Sequence, residues 1–201
     1  MTTDAETSPG LSPQVHRPAD QPGMVHLYTG DGKGKTTCAV GLAVRAAGAG
    51  LRVYFLQFDK GFVGEDYYSE RFTLSLLPGV TVAGTGAQRL LANGRFRFRN
   101  LPEDFAEAQR GLALAREAIT SRAHDLIVLD EAITCVQTKL LNPADIEGLM
   151  ALHRAHPRAE LILTGRGAWP ALVEQADLVT EMKMQRHYFE KGVALRRGID
   201  H

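Results

Sequence analysis

Met24-Val-His-Leu-Tyr-Thr29-Gly30-Asp31-Gly32-Lys33-Gly34-Lys35-Thr36-Thr37-Cys38-Ala-Val-Gly41 is the stretch that decides the fold. An apolar run ending at Thr29 suits a buried strand, and the Ala/Val/Leu-rich residues after Thr37 suit a helix. Between them, glycines at 30, 32 and 34 interleave with Asp31 and Lys33 and lead into Lys35-Thr36-Thr37. Strand, glycine loop, Lys-Thr and helix in that order define a phosphate-binding P-loop. Glycines let backbone N–H groups approach an anion closely, and the helix N-terminus adds partial positive charge. Lys35 supplies a full mobile charge, and Thr36 stands where a hydroxyl ligates Mg²⁺. The usual pattern places its first glycine where this chain has Thr29, so Gly30 comes one residue late and the glycine loop is denser. A plain glycine turn is the alternative; Lys35, Thr36 and a second motif downstream weigh against it.

That second motif is Leu126-Ile-Val-Leu-Asp130-Glu131, an apolar strand ending in two carboxylates. A carboxylate at such a strand end faces the P-loop and holds Mg²⁺ directly or through water, which makes Thr36, Asp130 and Glu131 the candidate metal ligands. Gln57 and Lys60 close another apolar run, Leu51 to Phe58, and strand ends in parallel sheets are where ligand loops begin. Arg166 follows the run Ala159 to Leu163 within Thr164-Gly165-Arg166-Gly167, and an arginine there can clamp phosphate oxygens bidentately.

The remaining chain alternates in the same sense. Helical stretches are expected over 64–77, from Leu101-Pro102-Glu103-Asp104 onward, from Asn142-Pro143 to His156, and over 168–176. Short strands are expected over 80–83 and 177–182. Phe105, Ala108, Leu112, Ala115 and Ile119 recur at helical spacing and are expected to face the core. His153 and His156 read as a solvated helix end rather than as metal ligands. Strands alternating with helices imply an α/β fold with a mainly parallel sheet. Residues 84–100, with Arg89, Arg95, Phe96, Arg97, Phe98 and Arg99, admit an edge strand, a nucleic-acid patch or a loop over a flat aromatic ligand.

The 201 residues suit one domain over 24–201, preceded by a Thr/Ser/Pro/Gly-rich segment 1–23 that reads as a flexible tail or a flap over a ligand. Lys+Arg and Asp+Glu are both 23, so net charge gives no case for nucleic acid. Cys38 and Cys135 lack metal-site spacing and read as buried, reduced thiols of a cytoplasmic protein. The sequence has no run long enough to cross a membrane and no secretory h-region.

Together these pieces resemble the P-loop corrinoid adenosyltransferases. The residues that carry the likeness are Thr29 to Thr37, Gln57-Phe58 with Lys60-Gly61, Leu129-Asp-Glu131, Thr164-Gly-Arg-Gly167, Ala176-Asp177 with Thr180-Glu-Met182, His187, Gly192-Val193 and Gly198-Ile-Asp200. The resemblance implies a RecA-like three-layer P-loop NTPase fold and a homodimer. It implies transfer of the 5′-deoxyadenosyl group of ATP to the cobalt(I) of a corrinoid, with triphosphate leaving and with Mg²⁺ or Mn²⁺ present. Cobalt(I) would come from a reductase or a reduced flavin. On this reading Thr29, Gly30, Asp31, Gly32, Lys33, Gly34, Lys35, Thr36, Thr37, Gln57, Lys60 and Arg166 serve the nucleotide, Lys35 and Arg166 also being catalytic. Many members carry a Gly-Phe-Thr-Trp-like segment after the third strand, whose aromatics displace the lower axial ligand of cobalt. Here Gly84-Thr-Gly-Ala-Gln-Arg-Leu90 and then Arg95-Phe-Arg-Phe98 follow instead, which makes Phe96 and Phe98 the candidates for that contact. Two other readings stay open on the residues alone: a P-loop kinase or ATPase that breaks the β–γ bond, and a corrinoid carrier that only changes conformation with ATP.

Overall fold

The computed structural model describes residues 21–61, 68–89 and 97–201. The expected tail therefore falls outside the described residues up to position 20, as do Arg95, Phe96 and the first residues of the helix expected over 64–77. In chain order the elements are β1 (Val25–Thr29), α1 (Lys35–Gly48), β2 (Val53–Gln57), α2 (Ser69–Ser75), β3 (Val80–Gly84) and α3 (Pro102–Thr120). Then come β4 (Leu126–Asp130), α4 (Ala132–Gln137), α5 (Pro143–Ala155), β5 (Glu160–Thr164), α6 (Pro170–Glu174), β6 (Leu178–Glu181) and a 3-10 turn over Tyr188–Lys191.

The strands form one six-stranded sheet in the order β3-β2-β4-β5-β1-β6, and every pairing is parallel. Strand side chains alternate between faces, and this alternation sorts the core into two layers. Tyr28, Val53, Phe55, Leu126, Val128 and Ile162 share one face with the buried Ala39, Ala43 and Ala46 of α1. Leu27, Leu56, Ile127, Leu129, Leu161 and Leu163 share the other face with Leu112 and Ala115 of α3 and Ile146 and Leu149 of α5. Central strands covered on both sides read as continuous apolar runs, which is why β2 and β4 are buried at every position. The same alternation sends Asp130, two residues beyond Val128, toward the α1 layer.

Edge strand β6 braces the glycine loop. The Met182 N–H donates to Thr29 O at 2.8 Å, and the Gly32 N–H donates to Met182 O at 2.7 Å. Gly30 has φ +98, and a Cβ there would come within 2.4 Å of Met182 O. Glycine is thus required at position 30 by its backbone conformation and by the strand beside it.

Several sequence expectations are corrected. Phe105 is 43% exposed, because the buried stripe of α3 runs through Ala108, Leu112, Ala115 and Ile119 and begins one turn later. Cys38 is exposed, since its α1 neighbour Ala39 takes the core position; Cys135 is buried as expected, and both thiols are free. His153 is not a solvated helix end: it is 1% exposed, and its Nε2 lies 2.6 Å from Ala159 O, fastening α5 to the start of β5. The segment after β3 is neither an edge strand nor an open basic patch in its described parts. Arg89, 6% exposed, donates to Asp59 Oδ1 at 2.9 Å and Asn100 Oδ1 at 3.0 Å, and Arg97 donates to both oxygens of Asp104.

Asp104 also accepts from the Leu101 N–H at 2.7 Å at the start of α3. Burial by itself would raise this carboxyl, but the bonds from Arg97 and Leu101 outweigh it and hold the pKa below its ordinary value of 3.8. A carboxyl depressed in the native state contributes stability above its unfolded pKa and loses it as pH falls through the folded one. Asp104→Asn should therefore destabilise the protein at pH ~7 and progressively less below pH ~4. Urea unfolding of both proteins across that range checks this, and an equal loss at both ends would contradict the linkage.

Candidate nucleotide and metal site

The site lies at the carboxyl ends of β1, β2, β4 and β5, where the loops of a parallel sheet converge. Asp130 is its centre. The carboxylate is 0% exposed and receives bonds from α1, from the ends of β2 and β5, and from the loop after β2. Oδ1 accepts from Thr36 Oγ1 at 2.9 Å and from Thr164 Oγ1 at 2.6 Å. Oδ2 accepts from Lys60 Nζ at 2.6 Å and Gln57 Nε2 at 3.2 Å. Register explains the assembly: Gln57 is the cross-strand partner of Asp130, and Thr164 lies one step beyond the Leu129–Leu163 pair on the other side. Thr36 arrives from above in the first turn of α1.

An isolated buried carboxylate would be neutralised by protonation. Burial pushes the Asp130 pKa up, yet the Lys60 ammonium and the donors from Lys60, Thr164 and Thr36 outweigh it and hold the carboxyl below its ordinary range. Lys60 responds in kind: burial would lower it, and Asp130 with Glu131 raises it. Both groups are therefore charged at neutral pH.

Lys35 folds back over the glycine loop. It is 6% exposed, and Nζ donates to Gly30 O at 2.9 Å and Gly32 O at 2.6 Å. Burial pushes its pKa down; Glu131 opposes that shift and Arg166 adds to it. Arg166 thus faces the loop electrostatically, with its side chain exposed and its N–H donating to Thr134 Oγ1 at 2.9 Å. Asp31 accepts from the Met184 N–H at 3.1 Å, which is the main reason its carboxyl titrates below the ordinary value. Lys33 donates to Ile199 O at 2.7 Å and stands 3.7 Å from Asp200, so the carboxyl-terminal segment reaches the glycine loop. Thr29 is buried at the end of β1, Gly34 has φ +119 at the start of α1, and Thr37 is exposed on the helix.

Glu131 adopts φ 62 as β4 turns into α4, and its side chain accepts from Thr134 Oγ1 while its N–H donates to Thr164 Oγ1 at 2.9 Å. Its charge acts on both Lys60 and Lys35, so Glu131 adds negative charge beside the Thr36–Asp130 pair. Phe98 is 85% exposed on the segment leading to α3, and Phe96 lies outside the described residues.

Sequence reading missed three supports. Arg71 donates through Nε to Gln57 Oε1 and through Nη2 to Lys60 O at 2.6 Å, and Glu70 accepts from Gln57 Nε2 at 2.9 Å. Both project from α2, and nothing in their local sequence marks them. Thr164 was visible only as a motif residue, although its position at a strand end carried the available signal.

Thr36 Oγ1 and Asp130 Oδ1 form a pair of hard oxygen donors 2.9 Å apart. Mg²⁺ prefers oxygen ligands and keeps several waters, so this pair suits it. The sheet, the glycine loop and this pair define a P-loop nucleotide-binding protein. The solved structure of the RadB recombinase shares the fold, with a TM-score of 0.50 and 14% identity over 81% of this chain and 75% of that one. Residues 21–201 match the family described as ATP:corrinoid adenosyltransferase BtuR/CobO/CobP, and the chain belongs to that family. A corrinoid adenosyltransferase of Escherichia coli K12 is 30% identical over 188 residues, covering 94% of this chain and 90% of the relative. One of Pseudomonas aeruginosa is 29% identical over 190 residues, covering 93% and 88%.

Thr164→Val keeps the shape of the side chain but removes a donor to Asp130 and an acceptor for the Glu131 N–H. Hydrogen bonds to charged groups contribute about 1.5–3 kcal/mol, and a loss in that range is expected in urea unfolding. A variant as stable as the parent would mean that Asp130 does not depend on β5.

Proposed function

We propose that this corrinoid adenosyltransferase moves the 5′-deoxyadenosyl group of ATP to the cobalt(I) of a corrinoid substrate and releases inorganic triphosphate. The observation that carries the reading is the bond between Thr36 of the P-loop helix and the buried Asp130, in a chain of this family. Cobalt(I) supplies the electron pair that forms the cobalt–carbon bond. The bond from carbon 5′ to oxygen breaks, its pair leaves on triphosphate, and cobalt becomes formally trivalent.

The protein then has no proton to abstract, and its work is to orient the two substrates and steady the leaving charge. Lys35 gives up its bonds to Gly30 O and Gly32 O and turns to the phosphates, where its burial strengthens the attraction. Lys33 and Arg166 face the same loop, and the N–H groups at the start of α1 add partial positive charge. Mg²⁺ would be held by Thr36 and Asp130, with Glu131 in reach through water, and would neutralise part of the triphosphate charge. Phe98, exposed on its segment, and Phe96 remain our candidates for the apolar face that meets the corrin.

The reading includes a second copy of the chain. Edge strand β6 keeps Leu178 at 43% and Val179 at 41% exposure, which an unpaired sheet edge does not favour. It also includes an outside electron donor for cobalt, such as a reduced flavin, and a reducing compartment that suits the two free thiols.

Purified protein with ATP, Mg²⁺ and chemically reduced cobalamin, kept from oxygen, should give a light-sensitive cobalt–carbon bond and free triphosphate. Lys35→Ala should lower the rate by about 10²–10³, the usual loss when one donor to a developing anion is removed. ADP and phosphate without alkylated cobalt would point instead to β–γ cleavage. ATP bound and unchanged beside bound corrinoid would point to a carrier.

A further inference from the structure

Lys60 makes an unusual set of contacts for a residue assigned to the nucleotide. Its Nζ donates to Asp130 Oδ2 at 2.6 Å and to Thr36 Oγ1 at 3.3 Å, so one ammonium bridges the two side chains that fit a divalent cation. The side chain is only 12% exposed, and Asp130 beneath it is 0% exposed. The backbone on either side is pinned: the Lys60 N–H donates to Thr85 O at 2.8 Å, and Lys60 O accepts from Arg71 Nη2 at 2.6 Å. Any change of partner must therefore come from rotation of the side chain alone.

We propose that Lys60 is a built-in cation of the metal position: its ammonium and a divalent ion exclude each other at Thr36 and Asp130, so the metal enters only with a triphosphate that takes over the displaced ammonium. The inference rests on the nucleotide and metal reading above. Mg²⁺ binds its oxygens at about 2.1 Å, and an ammonium hydrogen-bonded to the same two residues leaves no room for it. Two like charges within about 4 Å in a poorly solvated pocket also repel strongly. Asp130 needs a positive partner at all times, and Lys60 provides one that belongs to the chain. A triphosphate entering over Lys35 brings negative oxygens to the same place. They give Lys60 a new partner and give the incoming metal its remaining ligands. Metal and nucleotide binding become coupled, and the site is kept from filling with free divalent cation.

The test measures metal binding and needs no turnover. Mn²⁺ is titrated into the full chain without nucleotide, and the free ion is followed by electron paramagnetic resonance. Wild type should bind weakly, and Lys60→Met should bind about tenfold tighter or more, because the competing charge is gone. Asp130→Asn added to Lys60→Met should remove that gain. Lys60→Met also leaves Asp130 without its cation, so thermal melting is run alongside: Mn²⁺ should raise the melting temperature of Lys60→Met and leave wild type unmoved. If Lys60→Met does not fold, Lys60→Gln, which keeps a neutral donor, is read in the same two assays with the same expectation. A folded variant that binds Mn²⁺ no tighter than wild type overturns the proposal. Wild type titrated with ATP present separates the two readings. Tight Mn²⁺ binding there that Asp130→Asn abolishes upholds the metal site even when the Lys60 variants show no gain. Binding with ATP that Asp130→Asn leaves unchanged defeats the metal site and the Lys60 proposal together.

Discussion

The site depends on keeping one buried carboxylate charged. Removing an ionised group from water is costly unless hydrogen bonds and an opposite charge replace the lost hydration. Asp130 obtains them from Thr36, Thr164, Gln57 and Lys60, and no two of these donors come from the same strand or helix. Two of them are anchored in turn, Gln57 through Arg71 and Glu70, and Lys60 through Thr85 and the same Arg71. The carboxylate thus joins α1, α2, β2, β4 and β5 at the place where the glycine loop opens. A change at any of these elements reaches the nucleotide site through it.

The sheet makes this arrangement possible with few special residues. Parallel strands in register bring their carboxyl ends to one line, so Gln57, Asp130 and Thr164 stand side by side on neighbouring strands. Alternation along β4 puts Asp130 on the same face as Leu126 and Val128, the face that α1 covers. The helix that begins at Lys35 therefore delivers Thr36 onto the carboxylate and Lys35 over the loop. At the far side, β6 holds the glycine loop through Met182, and Asp200 and Ile199 meet Lys33.

Much of this was legible in the sequence, because the informative patterns are local. The glycine loop, the apolar runs of β2 and β4, and the Asp-Glu and Thr-Gly-Arg strand ends each declare themselves within about ten residues. What stayed hidden depends on packing between distant segments. The α4 helix is short, and its Ala-Ile-Thr-Cys-Val-Gln sequence is rich in β-branched residues that favour helix weakly; it forms because Ala132, Ile133 and Cys135 are buried. The arginines after β3 admitted an edge strand, a nucleic-acid patch or a ligand loop, whereas Asp59 and Asp104 turn Arg89 and Arg97 inward. Arg71 and Glu70 could not be read at all, since their importance comes from the strand end they touch. Phe105 has the right spacing for the core but sits on the opening turn of α3, ahead of its contact with the sheet.

Function in this account follows from charge placement rather than from a catalytic acid or base. On the proposed reading the buried anion would set where a metal sits, the glycine loop would set where phosphates sit, and Lys35 and Arg166 would steady the leaving charge. The most direct measurement is anomalous diffraction from crystals grown with ATP and Mn²⁺. A single strong metal peak about 2.1 Å from an oxygen of Thr36, with Asp130 in its coordination shell directly or through one water, is the predicted result. A metal held by Glu131 and phosphate alone, with Asp130 still bonded to Lys60, would contradict it.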